Sequence, residues 1–180
     1  GKQRQQTQYG YGNRQFENTD SLFLKKRRVI DKGNTEVVAE YIKEMTGADV
    51  FRIMPDKEYE KIQDYDELVE LTRIEHENDE RPTFNGKIND IGKYDTIFIG
   101  SPIWWYTFPQ VMYTFLDSYD LNGKTIIPFT THEGSGLADV VEVLRKYYPN
   151  ATVAEGLAIR GRDAVKSKEK VVRWLEKTGF

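Results

Sequence analysis

Residues 94–105 read Tyr94-Asp95-Thr96-Ile97-Phe98-Ile99-Gly100-Ser101-Pro102-Ile103-Trp104-Trp105. Thr96 to Gly100 is a short, nearly continuous apolar run that gives way to small and turn-forming residues. That is the pattern of a strand buried on both faces. Lys124 to Thr130 repeats it. Between the two, Pro109 to Ser118 is predicted helical, with Pro109 in the first turn. Further along, Leu137 to Tyr147 reads as a helix ended by Pro149, and Ala151 to Ile159 as a strand. Ala164 to Lys177 is the last helix, with Val171, Val172, Trp174 and Leu175 as its core face. In the other direction, Tyr65 to Glu77 is a helix with Leu68, Val69 and Leu71 on its apolar side. Ala48 to Met54 is a strand closed by Pro55. Val37, Val38, Tyr41, Ile42 and Met45 recur at helical spacing, and Gly47 follows as a C-cap signal. Strands alternating with helices predict an α/β fold: a three-layer α/β/α sandwich with a five-stranded parallel sheet and right-handed crossovers. In such sheets ligands sit beyond the carboxyl ends of the strands.

The whole chain is 180 residues with a formal net charge of -3. A mildly acidic chain is a poor nucleic-acid binder, because phosphate neutralisation needs a basic surface. The absence of cysteine removes disulfides, thiolate metal sites and every cysteine-nucleophile mechanism. No apolar run approaches the ~20 residues of a membrane span. Residues 1–20, rich in Gln, Gly and Asn, are expected to be a flexible N-terminal tail, since they cannot bury enough apolar surface to offset ordering. Residues 21–180 form the domain. Without a secretory signal the expected location is cytoplasmic; an exported or lipid-anchored form with its signal removed is the alternative.

Three loops at the expected strand ends carry the chemistry. The first, Asp31-Lys32-Gly33-Asn34-Thr35, precedes the first helix. Gly33 permits close backbone approach, and helix-start amides with Asn34 and Thr35 suit a phosphate; an ordinary Asn or Thr N-cap reads the same way. The second, Pro102-Ile103-Trp104-Trp105-Tyr106-Thr107, places three adjacent aromatics in a strand-to-helix loop. Such rings can stack on a planar ligand at ~4.5–7 Å, or cover a sheet edge or an oligomer contact. The third, Thr131-His132-Glu133-Gly134-Ser135-Gly136, offers backbone amides to a flat polar edge. It lacks the third glycine of a dinucleotide fingerprint, and no P-loop motif occurs. His132 has no partner that would make it a triad member, and no catalytic or metal-ligating residue stands out.

The sequence resembles the flavodoxin family, in particular a flavodoxin-like branch common in bacteria. The carrying segments are Gly33 to Glu40, Tyr94 to Trp105, Thr114 to Leu121, Gly123 to Phe129 and His132 to Gly136. The resemblance implies strand order 2-1-3-4-5 and non-covalent FMN. Lys32, Gly33, Asn34 and Thr35 would hold the phosphate. Pro102 to Thr107 would flank the isoalloxazine, with Trp104, Trp105 or Tyr106 stacking on it. Thr131, His132, Glu133, Gly134, Ser135 and Gly136 would line the other side and the pyrimidine edge. The final strand, Thr152 to Ile159, runs into Arg160 without a long interruption, which resembles the short-chain type. The flavin would carry the electrons and the protein would bind, orient and tune it.

One segment departs from the family. Its usual loop, Ser-x-Thr-Gly-Asn-Thr, has Ile30 and Lys32 here where the two hydroxyls belong, and Lys25-Lys26-Arg27-Arg28 stands where a buried central strand is expected. Four charges inside a covered sheet carry a severe desolvation cost. Either Ser21 to Leu24 is the strand, or Arg28 to Ile30 is a truncated one, or the segment was altered relative to the family. The resemblance therefore implies an FMN-binding redox protein: a one-electron carrier, or an NAD(P)H-dependent flavin oxidoreductase acting on quinone-like or protein acceptors, with an oligomer possible. The alternative is a flavodoxin-like domain with a degraded phosphate loop that serves as a non-catalytic interaction module.

Overall fold

The structure, a computed structural model, describes residues 33–180. The tail, both candidate first strands and Lys32 lie outside the described residues. Helix α1 (Asn34–Thr46) sets Val38 and Ile42 one turn apart against the sheet. It stops at Gly47, whose φ of 70° closes the last turn, its amide donating a hydrogen bond to the Lys43 carbonyl at 2.8 Å. Helix α2 (Tyr65–Glu77) starts where the Asp64 carboxylate accepts the Glu67 amide at 2.9 Å, an N-cap worth ~1 kcal/mol. Two short strands, β1 (Met54–Pro55) and β2 (Phe84–Asn85), flank α2 and pair antiparallel.

The main sheet is parallel. Strand β3 (Thr96–Pro102) lies beside β4 (Thr125–His132) in unbroken register from Thr96↔Thr125 to Pro102↔Thr131. Beyond β4 lie β5 (Thr152–Val153) and β6 (Leu157–Arg160). Helices α3 (Gln110–Ser118) and α4 (Val140–Tyr147) cover one face with Ile99, Phe115, Ile126 and Leu144. Helices α1 and α5 (Lys168–Thr178) cover the other with Val38, Ile127, Phe129 and Trp174. The expected three layers are present. A third, smaller cluster joins α2 to the aromatic loop through Tyr59, Leu68, Val69 and Trp104.

Among the described residues the strands fall into two sheets; a single five-stranded sheet in the order 2-1-3-4-5 is not seen among them, and both candidate first strands lie outside them. Other expectations are corrected. Residues 48–53 form no strand, because a strand exists only where a neighbouring strand takes up its amides and carbonyls, and none among the described residues pairs with them. The strand expected over Ala151 to Ile159 is broken between Val153 and Leu157. At Gly156 a Cβ would come within 2.8 Å of Leu137 and 3.2 Å of Pro128, so the chain detours through the one residue that fits. On the side away from β4, Lys170 donates to the Ala158 carbonyl and the Trp174 indole to the Glu155 carbonyl, both at 2.9 Å. Pro109 caps α3 rather than entering its first turn. The last helix begins at Lys168, after a 3₁₀ segment over Gly161–Lys166. Among the described residues no helix is long and apolar enough to cross a membrane.

Candidate functional site

The parallel register brings the carboxyl ends of β3 and β4 side by side, and the start of α1 lies against them. Thr131 is the junction. It is fully buried, its hydroxyl shares a 2.7 Å hydrogen bond with the Thr35 hydroxyl, and its carbonyl accepts the Ile103 amide at 3.1 Å. One residue thus ties the first loop to the third and the third to the second. Gly33 is buried, extended at φ −72° and without a side chain to cap α1. The first-turn amides at Asn34 and Thr35 therefore look to groups outside the helix.

The second loop turns sharply. Trp104 and Thr107 exchange two backbone hydrogen bonds of 3.0 Å, and the two residues between them are left-handed: Trp105 at φ 52° and Tyr106 at φ 61°. Their environments differ. Ile103 belongs to the core under α3 and α4. Trp104 is 3% exposed and points into the α2 cluster, where the Tyr59 ring meets it edge-on at 6.1 Å. Trp105 is half-buried and its indole donates to the Thr72 hydroxyl at 3.3 Å. Tyr106 stands out at 55% exposed. Thr107 is buried, its hydroxyl 2.6 Å from that of Tyr113, whose phenol burial pushes above its ordinary value. Pro102 closes β3 and its carbonyl accepts the Ser101 hydroxyl.

In the third loop the Thr130 hydroxyl donates to the Gly136 carbonyl at 2.9 Å, and Ser135 accepts the Ala138 amide at 3.0 Å. Gly136 needs its φ of 61° to make that turn. Glu133 is half-buried and Gly134 exposed. His132 ends β4, only 8% exposed, yet its Nδ1 has no hydrogen-bond partner among the described residues. Burial first, and then the charges of Arg160 and Lys170, hold its pKa below the ordinary imidazole value. A buried ring nitrogen left unpaired carries a cost that a ligand's polar atom would relieve. The buried Gly33 backbone and this orphaned nitrogen fit a ligand with an anionic end and a flat polar edge.

The lowered His132 pKa has a consequence for stability. The unfolded chain takes up that proton more readily, so acidification favours unfolding. The penalty sets in as pH falls through ~6.5 and is complete below the folded-state pKa. Denaturant midpoints at about pH 7.5 and about pH 5.5 are expected to fall further for the parent than for His132→Asn. Equal losses would show that the ring titrates as in the unfolded chain.

Three residues around the site escaped the sequence reading. Glu75 carried a signal: it sits three residues after Thr72 and seven after Leu68, a carboxylate on the buried stripe of α2. Tyr59 and Tyr113 carried none, since only tertiary packing brings them to the aromatic turn.

The family model described as flavodoxin matches residues 29–178. The chain is 31% identical to a Bacteroides eggerthii protein described as a flavoprotein, with a TM-score of 0.69 and coverage of 81% of this chain and 90% of that one. A Bacteroides uniformis protein of the same description is 29% identical, with a TM-score of 0.70, covering 86% and 94%. A Lactobacillus acidophilus flavoprotein solved in complex with FMN is 20% identical at a TM-score of 0.54, covering 73% and 89%, a likeness of fold. No curated protein matches the sequence.

Proposed function

The chain belongs to the flavodoxin family, and from that premise we propose that it binds FMN without a covalent link and passes electrons to a basic protein partner. The observation that carries the reading is the Thr131 junction, which gathers the three loops at one end of the sheet. FMN, when bound, supplies the redox chemistry, and the chain binds and orients it. Gly33, Asn34 and Thr35 take the phosphate at the start of α1, with Lys32 adding a charge in place of the family's hydroxyls. Tyr106, the exposed member of the aromatic turn, is the stacking face, while Trp104 and Trp105 support it from within. His132 Nδ1 and the Glu133 to Gly136 backbone meet the polar edge of the ring.

The charge distribution supports a protein partner. From Asp56 to Glu80 the sequence has eleven carboxylates against three Lys or Arg. This segment adjoins the aromatic turn through the Trp105–Thr72 hydrogen bond. A negative field beside an exposed ring steers a basic partner to it and makes the encounter salt-sensitive.

The test is a flavin titration of the purified protein. FMN fluorescence is expected to quench to a one-to-one endpoint, with riboflavin bound more weakly because it lacks the phosphate. Lys32→Glu is expected to weaken FMN by about tenfold and leave riboflavin unchanged, the loss of one ~1.4 kcal/mol charge contact. Failure to quench either flavin would leave a flavodoxin-like interaction module. Unchanged FMN affinity in the Lys32 variant would remove that residue from the site.

A further inference from the structure

The aromatic turn should not hold its shape unaided. In two-residue turns of this hand the central positions favour Asn and Gly, because a Cβ is strained at positive φ. Here they carry Trp105 and Tyr106, at 52° and 61°. Such an outlier persists only where its surroundings over-determine it.

Besides the Thr107–Tyr113 hydrogen bond, two ties run toward α2, one directly and one through Tyr59 in the 3₁₀ segment before it. The Trp104 ring packs against Tyr59 at an interplanar angle of 81°. The Trp105 indole donates to the Thr72 hydroxyl, which itself donates to the Leu68 and Val69 carbonyls and so presents a lone pair outward. Thr72 and Glu75 lie one turn apart on the buried side of α2. The Tyr59 hydroxyl, 3.0 Å from each Glu75 oxygen, fixes the ring that Trp104 rests on.

Glu75 is 2% exposed, and a buried carboxylate is costly unless paired. Lys57 reaches in from the surface to pair with it, and Glu80 lies 3.6 Å from the same ammonium. Burial, reinforced by the Glu75 charge and hydrogen bond, pushes the Tyr59 phenol up, so it stays a donor. Each member satisfies the next: Lys57 the charge of Glu75, Glu75 the hydroxyl of Tyr59, and Tyr59 the face of Trp104.

We infer that the buried Lys57–Glu75–Tyr59 cluster holds the Trp104–Thr107 turn left-handed, which makes Tyr59 and Glu75 positioning residues for Tyr106. The inference deepens the proposed function and rests on Tyr106 being the flavin's stacking face. None of the three touches the ligand. They act by keeping the flat ring presented before it binds, so that binding does not have to order it.

The experiment reads the clamp in the flavin-free protein and its consequence in the titration. Tyr59→Phe keeps the ring and removes the hydroxyl; Thr72→Val cuts the second tie without touching the buried charge, so one variant remains if the other folds poorly. Hydrogen exchange of the Trp104 and Thr107 amides is expected to speed up by about tenfold in either variant, with core amides such as Leu144 unchanged as the control for global stability. FMN is expected to bind more weakly by the factor by which the closed fraction falls, about tenfold where about nine chains in ten have opened. Unchanged exchange at Trp104 and Thr107 overturns the clamp, whatever the flavin does. Loss of protection at Trp104 and Thr107 so complete that most chains are open, with unaltered FMN affinity, overturns the positioning role and moves the stacking face away from Tyr106. If the parent itself binds no flavin the proposed function fails, and the exchange data still decide whether the clamp exists.

Discussion

Gly100→Ala is expected to remove a large part of this protein's stability, although it adds a single methyl group. Gly100 pairs with Phe129 across the β3–β4 ladder, and the Phe129 ring lies over it. A Cβ at this position would sit 2.0, 2.4 and 2.6 Å from three ring carbons. None of these distances is tolerable, so the ring must leave. It has nowhere open to go, being 3% exposed among Val38, Ile127, Leu157 and Trp174. Overpacking a filled core costs ~1–3 kcal/mol and occasionally more, and contacts this short belong at or above the top of that range. The total stability of such a domain is ~5–15 kcal/mol. The check is a double-mutant cycle by denaturant unfolding. Phe129→Leu alone opens space and destabilises; combined with Gly100→Ala the added methyl fills part of it. The pair is expected to be at least ~1 kcal/mol more stable than the sum of the singles. Additive losses would mean that the ring does not occupy the glycine's space.

The second large effect separates two neighbours that look alike in the sequence. Trp104→Ala is expected to cost ~3–5 kcal/mol, the cavity penalty of a large buried aromatic. At ~2–4 °C per kcal/mol for a domain of this size, that lowers Tm by about 10 °C. Tyr106→Ala removes a ring that is 55% exposed and relaxes nothing in the core. Its stability is expected to stay within ~0.5 kcal/mol of the parent, while FMN affinity falls about tenfold with the loss of a stacking face. Thermal melts with and without FMN measure both. A Tyr106 variant that melts early and a Trp104 variant that only loses flavin would exchange the two roles.

How much was legible follows from where each signal resides. Helices announce themselves locally: the Val38–Ile42 spacing, the Gly47 stop and the whole of Tyr65–Glu77 are present as read. Strands are a property of pairs. Thr96–Pro102 and Thr125–His132 are apolar enough to be buried anywhere, and they pair as expected. Residues 48–53 have strand-like composition but no ladder among the described residues. The break after Val153 depends on Leu137 and Pro128 crowding Gly156, a contact invisible in a one-dimensional pattern. The site divides the same way. That three loops converge follows from strand-end topology, whereas which aromatic faces outward was decided by Tyr59, forty-five residues before Trp104.

The broken last strand bears on how the molecule behaves at high concentration. Among the described residues β6 pairs on one side only, with β4, which leaves the flank that commonly recruits a foreign strand in aggregates and swapped dimers. Two carbonyls along that flank are already occupied, Ala158 by Lys170 and Glu155 by Trp174. An incoming strand must displace both α5 side chains and then meet a chain that leaves its line at Gly156. Self-assembly by sheet extension is blocked there by side chains whose other task is to seat α5.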